Sequence, residues 1–122
     1  MSKEIKITVR SITVEATLND TGTARMVFDN LPITGEVNLW GDEIYFYISL
    51  KTEIEDGKEK VALGDIAYWP EGPALCIFLG KTPISRGNEI RPASAVNIIG
   101  KIKDVNTLLK KVKDGDEITL KK

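Results

Sequence analysis

Residues 64–80, GDIAYWPEGPALCIFLG, constrain the chain more than any other stretch. They read as two short strands around a Pro/Gly turn, with Pro70, Gly72 and Pro73 as the punctuation. The second strand, from Ala74 to Leu79, is apolar on both faces. A strand of that kind has to be covered on both sides, so it belongs in the middle of a sheet. The stretch therefore implies a core on one face and some further covering on the other.

The rest of the chain supplies strands to surround it. Ile5, Ile7 and Val9 alternate with charged and hydroxyl residues, and so do Ile12, Val14, Ala16 and Leu18. Period two on either side of Arg10-Ser11 predicts a hairpin with one buried face. Asn19 or Asp20 then offers an N-cap, and Ala24, Val27, Phe28 and Leu31 form one apolar helical stripe that Pro32 ends. Residues 33–40 read as a weaker strand before a Gly41-Asp42 turn. In the strand from Glu43 to Ser49, Ile44, Phe46 and Ile48 point one way, while Glu43, Tyr45 and Tyr47 point the other. That second face is an outer sheet surface or a pocket wall, because tyrosine joins contact area to a hydrogen-bonding tip.

Residues 51–60, KTEIEDGKEK, read as an exposed loop or flap. Residues 81–94, KTPISRGNEIRPAS, have no periodic pattern, and a long irregular stretch in a small domain is usually functional or mobile. A strand follows from Val96 to Ile102, with Gly100 as a bulge or a point of close approach. Asp104 can cap a second helix with the stripe Val105, Leu108, Leu109 and Val112, and Ile118 and Leu120 mark a last strand. The sum is about eight strands and two helices in one domain, residues 1–122. Eight strands close well into a barrel filled by side chains, and closure removes exposed edges. An open α+β sheet is the alternative.

Composition excludes several chemistries. The 122 residues carry 17 Lys and Arg against 18 Asp and Glu, well mixed, so no basic face for a phosphate backbone is expected and no nucleic-acid partner. There is no histidine, which removes the commonest general base and the usual zinc ligand. The single cysteine, Cys76, lies in an apolar run and reads as a buried structural thiol. Neither a metal nor a cofactor is expected. No apolar run is long enough to span a bilayer and the N-terminus lacks a signal-peptide core, so a cytoplasmic protein without a membrane partner is expected.

Three segments carry a family resemblance: WGDEIYF from Trp40, GDIAYWPEGPALCIFLGKTP from Gly64, and IRPASAVNIIGKI from Ile90. Together they make the chain resemble the small cyclophilin-like proteins of bacteria and archaea, over most of residues 1–121. The resemblance implies a mainly β fold, a closed eight-stranded barrel with a helix covering each end, related to peptidyl-prolyl isomerases. In the isomerases an arginine hydrogen-bonds the prolyl nitrogen, and a Phe/Met/Trp/His pocket holds the ring. Here the histidine is absent, and Arg10, Arg25, Arg86 and Arg91 do not fall in the isomerase motif.

A pocket on one barrel face, walled by strands and the long loop, would draw on Trp40, Glu43, Tyr45, Tyr68, Trp69, Phe78, Thr82, Ser85, Arg91 and Asn97. Each has a plainer role open to it: core packing for the tryptophans, an exposed turn for Glu43, loop hydrogen bonds for Thr82 and Ser85, a surface ion pair for Arg91. Glu43 beside tyrosines could instead hold a cation, and the Arg91 fork an anion. The favoured expectation is a binding module for a small molecule or peptide segment. A divergent peptidyl-prolyl isomerase and a structural or oligomeric interaction protein are the alternatives, and the oligomeric state is left open.

Overall fold

The computed structural model describes residues 2–122; the side chain of Leu109, part of the expected second helical stripe, lies outside the described residues. Nine antiparallel strands form one sheet: β1 Lys3–Val9, β2 Ile12–Leu18, β3 Ile33–Glu36, β4 Asn38–Trp40, β5 Glu43–Tyr47, β6 Asp65–Trp69, β7 Ala74–Phe78, β8 Asn97–Ile102 and β9 Glu117–Lys121. Their order is β3-β9-β1-β2-β8-β6-β7-β5-β4. The two outermost strands, β3 and β4, are consecutive in the chain and separated by Val37 alone. The sheet therefore curls until its edges meet, giving a nearly closed barrel.

The strand count is nine rather than eight because the expected strand at 33–40 is two. Val37 turns its backbone away from both neighbours: its N–H donates to the Asp116 carbonyl and its own carbonyl accepts from Gly115. β3 consequently pairs with β9, whereas β4 pairs with β5. Gly35 faces the seam, where a Cβ would lie 2.8 Å from the Phe46 ring.

The inward positions follow the alternation of the sequence. Ile5, Ile7, Val14, Ala16, Ile44, Phe46, Ile66, Leu75, Ile77, Ile99, Ile118 and Leu120 fill the interior, all essentially without solvent contact. At about 25 cal/mol per Å² of apolar surface removed from water, this layer is the main stabilising element of the fold. Two short helices serve it from opposite ends of β8. α1, Gly22–Asp29, delivers Ala24 and Val27 to the core, and its Thr23 hydroxyl accepts from Asn97 at the start of β8. α2, Val105–Lys111, follows the other end and delivers Leu108. The α1 N-cap is Thr21, whose hydroxyl accepts from the Ala24 N–H, rather than Asn19 or Asp20; Asn19 instead accepts from Thr21. Asp104 caps α2 as its sequence position implies.

A second, smaller cluster lies on the outer face of the barrel wall: Ala67, Cys76, Phe78, Ile90 and Val96, flanked by Tyr45, Val61 and Trp69. This is the covering that the doubly apolar β7 demanded. It comes from the irregular chain on either side of residue 90, which joins the 58–61 segment through bridges Lys58–Val96 and Val61–Ile90. Neither described helix is long and apolar enough to cross a membrane.

Candidate functional site

A cavity of about 280 Å³ opens between the outer face of the β5–β7–β6 wall and the loop that covers it. Four neighbouring strands and the loop build it. β5 contributes Glu43, Tyr45 and Tyr47, which share one face because strand side chains alternate. β4 adds Trp40, the cross-strand partner of Glu43. β7 adds Cys76, the partner of Tyr45, and β6 adds Trp69. Pro92, Ala93 and Val96 close the far side from the loop.

The aromatic side chains pack against one another. Tyr45 meets Tyr47 edge-to-face at 5.8 Å between centroids, and Trp69 at 6.5 Å. Trp69 is fixed further by its indole N–H, which donates to the Ser94 hydroxyl at 2.6 Å. The wall and the loop are thereby joined beside the opening. On the flank, Gly41 turns with φ +62°, and the Asp42 N–H donates to the Lys81 carbonyl at 2.9 Å. A Cβ on Gly41 would sit 2.7 Å from that carbonyl, so only glycine lets the turn between Trp40 and Glu43 lie flat on the start of the loop.

Glu43 is the chemical centre of this cavity. It is 5% exposed, and its Oε1 is buried with no hydrogen-bond partner among the described residues. Burial disfavours the carboxylate and pushes its pKa up to about 7; a hydrogen bond with Cys76 offsets this only in part. The Cys76 thiol is in turn pushed well up, first by its own burial and then by the nearby Glu43 charge. Tyr45 is also raised, with burial as the largest cause. Glu43 is one of the residues lining the cavity, and a carboxyl with an unused oxygen can accept a hydrogen bond from a ligand or donate one when protonated.

The ten residues singled out in the sequence do not form one site. Trp40, Glu43, Tyr45 and Trp69 line the cavity. Tyr68 does not: it neighbours Trp69 on β6 and so points the opposite way, into the barrel, fully buried. Its hydroxyl donates to the Leu50 carbonyl at 2.9 Å and accepts from the Thr52 N–H at 3.0 Å. Phe78 is on the outer face but is sealed in the smaller cluster and leaves no surface in the cavity.

Thr82, Ser85 and Arg91 staple the long loop to itself. The Ser85 hydroxyl accepts from the Thr82 and Arg91 N–H groups at 3.0 Å each, and the Thr82 hydroxyl donates to the Arg91 carbonyl. The Arg91 guanidinium turns to Glu89 at 3.0 Å. Asn97 is buried elsewhere, where it accepts from Glu55 N–H at 2.9 Å and donates to the Glu53 carbonyl at 3.1 Å. It holds the 51–60 segment down, and the Glu55 carboxylate of that segment accepts from Gly22 and Thr23 at the start of α1. The segment expected as an exposed loop or flap is exposed, and it is tethered.

Five lining residues were not among the candidates. Tyr47 carries the signal that marked Tyr45, the same phase of the same strand. Cys76 enters through its register with Tyr45, which a single sequence does not reveal. Pro92, Ala93 and Val96 lie within a few residues of Arg91, in a segment whose path has no periodicity to betray it.

The comparisons with known proteins agree with the geometry of the barrel. The family model described as Cyclophilin-like matches residues 3–121. The solution structure of a hypothetical protein from Archaeoglobus fulgidus is similar, with 43% identity, a TM-score of 0.79, and coverage of 97% of this chain and 92% of that one. A structure of McbB in complex with tryptophan shares the fold at 17% identity and a TM-score of 0.71, over 97% of this chain and 44% of that one. No curated protein matches the sequence. With its barrel, its strand order and a family match that spans nearly every residue, this chain belongs to the cyclophilin-like family.

Proposed function

We propose that the protein is a binding module, and that the aromatic cavity on the outer barrel wall is where it takes a small molecule or a single side chain of a peptide segment. One observation carries this reading: Glu43, whose buried Oε1 has no partner among the described residues, lines an open cavity walled by two tryptophans and two tyrosines. A polar atom left unsatisfied in a buried position costs about 1–3 kcal/mol. A ligand donor that reaches Oε1 recovers that cost. The rings supply apolar contact, and an aromatic cavity with few polar groups is the usual form of a small-molecule site. At about 280 Å³ the space suits one compact group, not a length of chain.

Proline isomerisation is the less favoured reading. The one arginine beside the cavity in sequence, Arg91, has its guanidinium on Glu89 and does not line the space.

The test is a ligand screen on the isotope-labelled protein, read by amide and indole N–H chemical shifts. Saturable shifts grouped at Trp40, Glu43, Tyr45, Trp69 and Ala93 support the reading. Ligands whose shifts map consistently to another face would overturn it.

A further inference from the structure

The charge around Glu43 narrows what the cavity can take. No lysine or arginine lines it, and Glu43 is its one acidic side chain. The titratable groups near Glu43 are the Cys76 thiol on β7, the Tyr45 and Tyr47 phenols on β5, and, acting on Tyr45 from the turn before β9, the Asp114 carboxylate. The remaining lining from β4, β6 and the loop is Trp40, Trp69, Pro92, Ala93 and Val96, none of which titrates. The environment is thus uniformly negative or neutral. Ring faces add to that sign, because an aromatic quadrupole is negative above and below the plane.

A hydroxyl and an ammonium could each donate to Glu43 Oε1. Only the ammonium also gains from the carboxylate charge and from the ring faces. We propose that the cavity selects an organic cation: a protonated amine on a compact apolar or aromatic body, with its N–H on Glu43 Oε1 and its body among Trp40, Tyr45 and Trp69. This rests on the binding-module reading above. A cation of this kind pairs with the carboxylate form, so below about pH 7 its entry expels the proton that Glu43 holds in the empty cavity. Cys76 and Tyr45 are both raised and stay neutral, which leaves Glu43 as the group whose proton is released.

Two probes of matched shape test the inference: 2-phenylethylamine and 2-phenylethanol, titrated calorimetrically into the full chain at pH 6 and pH 8. The amine is cationic at both. It should bind about tenfold tighter than the alcohol at pH 8. Its affinity should fall by up to about tenfold at pH 6, where a carboxyl titrating near 7 is mostly protonated, while the alcohol shows no such fall. In Glu43→Gln the preference for the amine should shrink to about twofold or less, with the fold checked by circular dichroism. Equal binding of both probes by the wild-type chain, mapped to this cavity, would overturn the cation inference and leave the binding site standing. If neither probe binds, the cation inference falls; the ligand screen then decides separately whether the cavity binds anything.

Discussion

Trp69 on β6 donates its indole N–H to the Ser94 hydroxyl at 2.6 Å, so one wall of the cavity holds the loop that forms the opposite wall. The bond ties the two walls together beside the cavity. Ser94→Ala should cost about 1 kcal/mol in a urea melt, the ordinary contribution of one hydrogen bond. It should also weaken ligand binding more than stability, since the loop residues Pro92 and Ala93 lose their nearest tie to the wall. The indole N–H chemical shift of Trp69 reports the change.

Glu43 makes the fold pH-dependent. Its pKa is raised from 4.5 to about 7, so the folded chain keeps a proton that the unfolded chain has already released. The associated stability is fully present below pH 4.5 and is lost as pH rises through about 7. The loss amounts to about 3 kcal/mol. Glu43→Gln removes it. Urea melts at pH 5 and pH 8 should show the wild-type chain weakening with pH by about 2–3 kcal/mol relative to the variant, which is then the more stable protein at pH 8.

Tyr68 and Tyr45 separate core from site. Tyr68→Phe deletes a hydroxyl that bonds both Leu50 and Thr52 inside the barrel, leaving two backbone groups short of a partner. It should destabilise by about 1–3 kcal/mol and leave ligand affinity unchanged. Tyr45→Ala should do the reverse, reducing affinity severalfold through the lost ring. Comparing melts with binding isotherms for the two variants checks both halves.

That distinction marks where the sequence was legible. The 43–47 strand carries charge and hydroxyls on one face only, so its alternation assigned Glu43 and Tyr45 to the outer wall and Phe46 to the core. Ile66, Ala67, Tyr68 and Trp69 carry no charged phase to read, so Tyr68 and Trp69 could not be told apart. The barrel itself was legible from strand count and the family resemblance. The break at Val37 was not, because it depends on bonds to Gly115 and Asp116, almost eighty residues away in sequence. The loop stapled by Thr82, Ser85 and Arg91 was recognisable as irregular and important, but its hydroxyls serve the loop rather than the cavity.

Gly100 was legible too, as a point of close approach. A Cβ there would lie 2.2 Å from the Thr17 carbonyl oxygen, a backbone atom that cannot swing aside. It sits at a bulge, where Ile66 pairs with Gly100 but Ala67 with Ile98. Gly100→Ala should destabilise by about 3 kcal/mol or more. An unchanged urea midpoint would show that β2 and β8 do not approach as described.

The Glu43 side-chain carboxyl carbon reports on a buried carboxyl that pairs with a cation. Its ¹³C shift, followed by NMR from pH 4 to pH 9, should titrate near 7 in the free protein, and saturation with 2-phenylethylamine should move the midpoint to lower pH. A midpoint near the ordinary glutamate value of about 4.3, unmoved by the amine, would mean that Glu43 is neither buried from water nor the group that holds the cation.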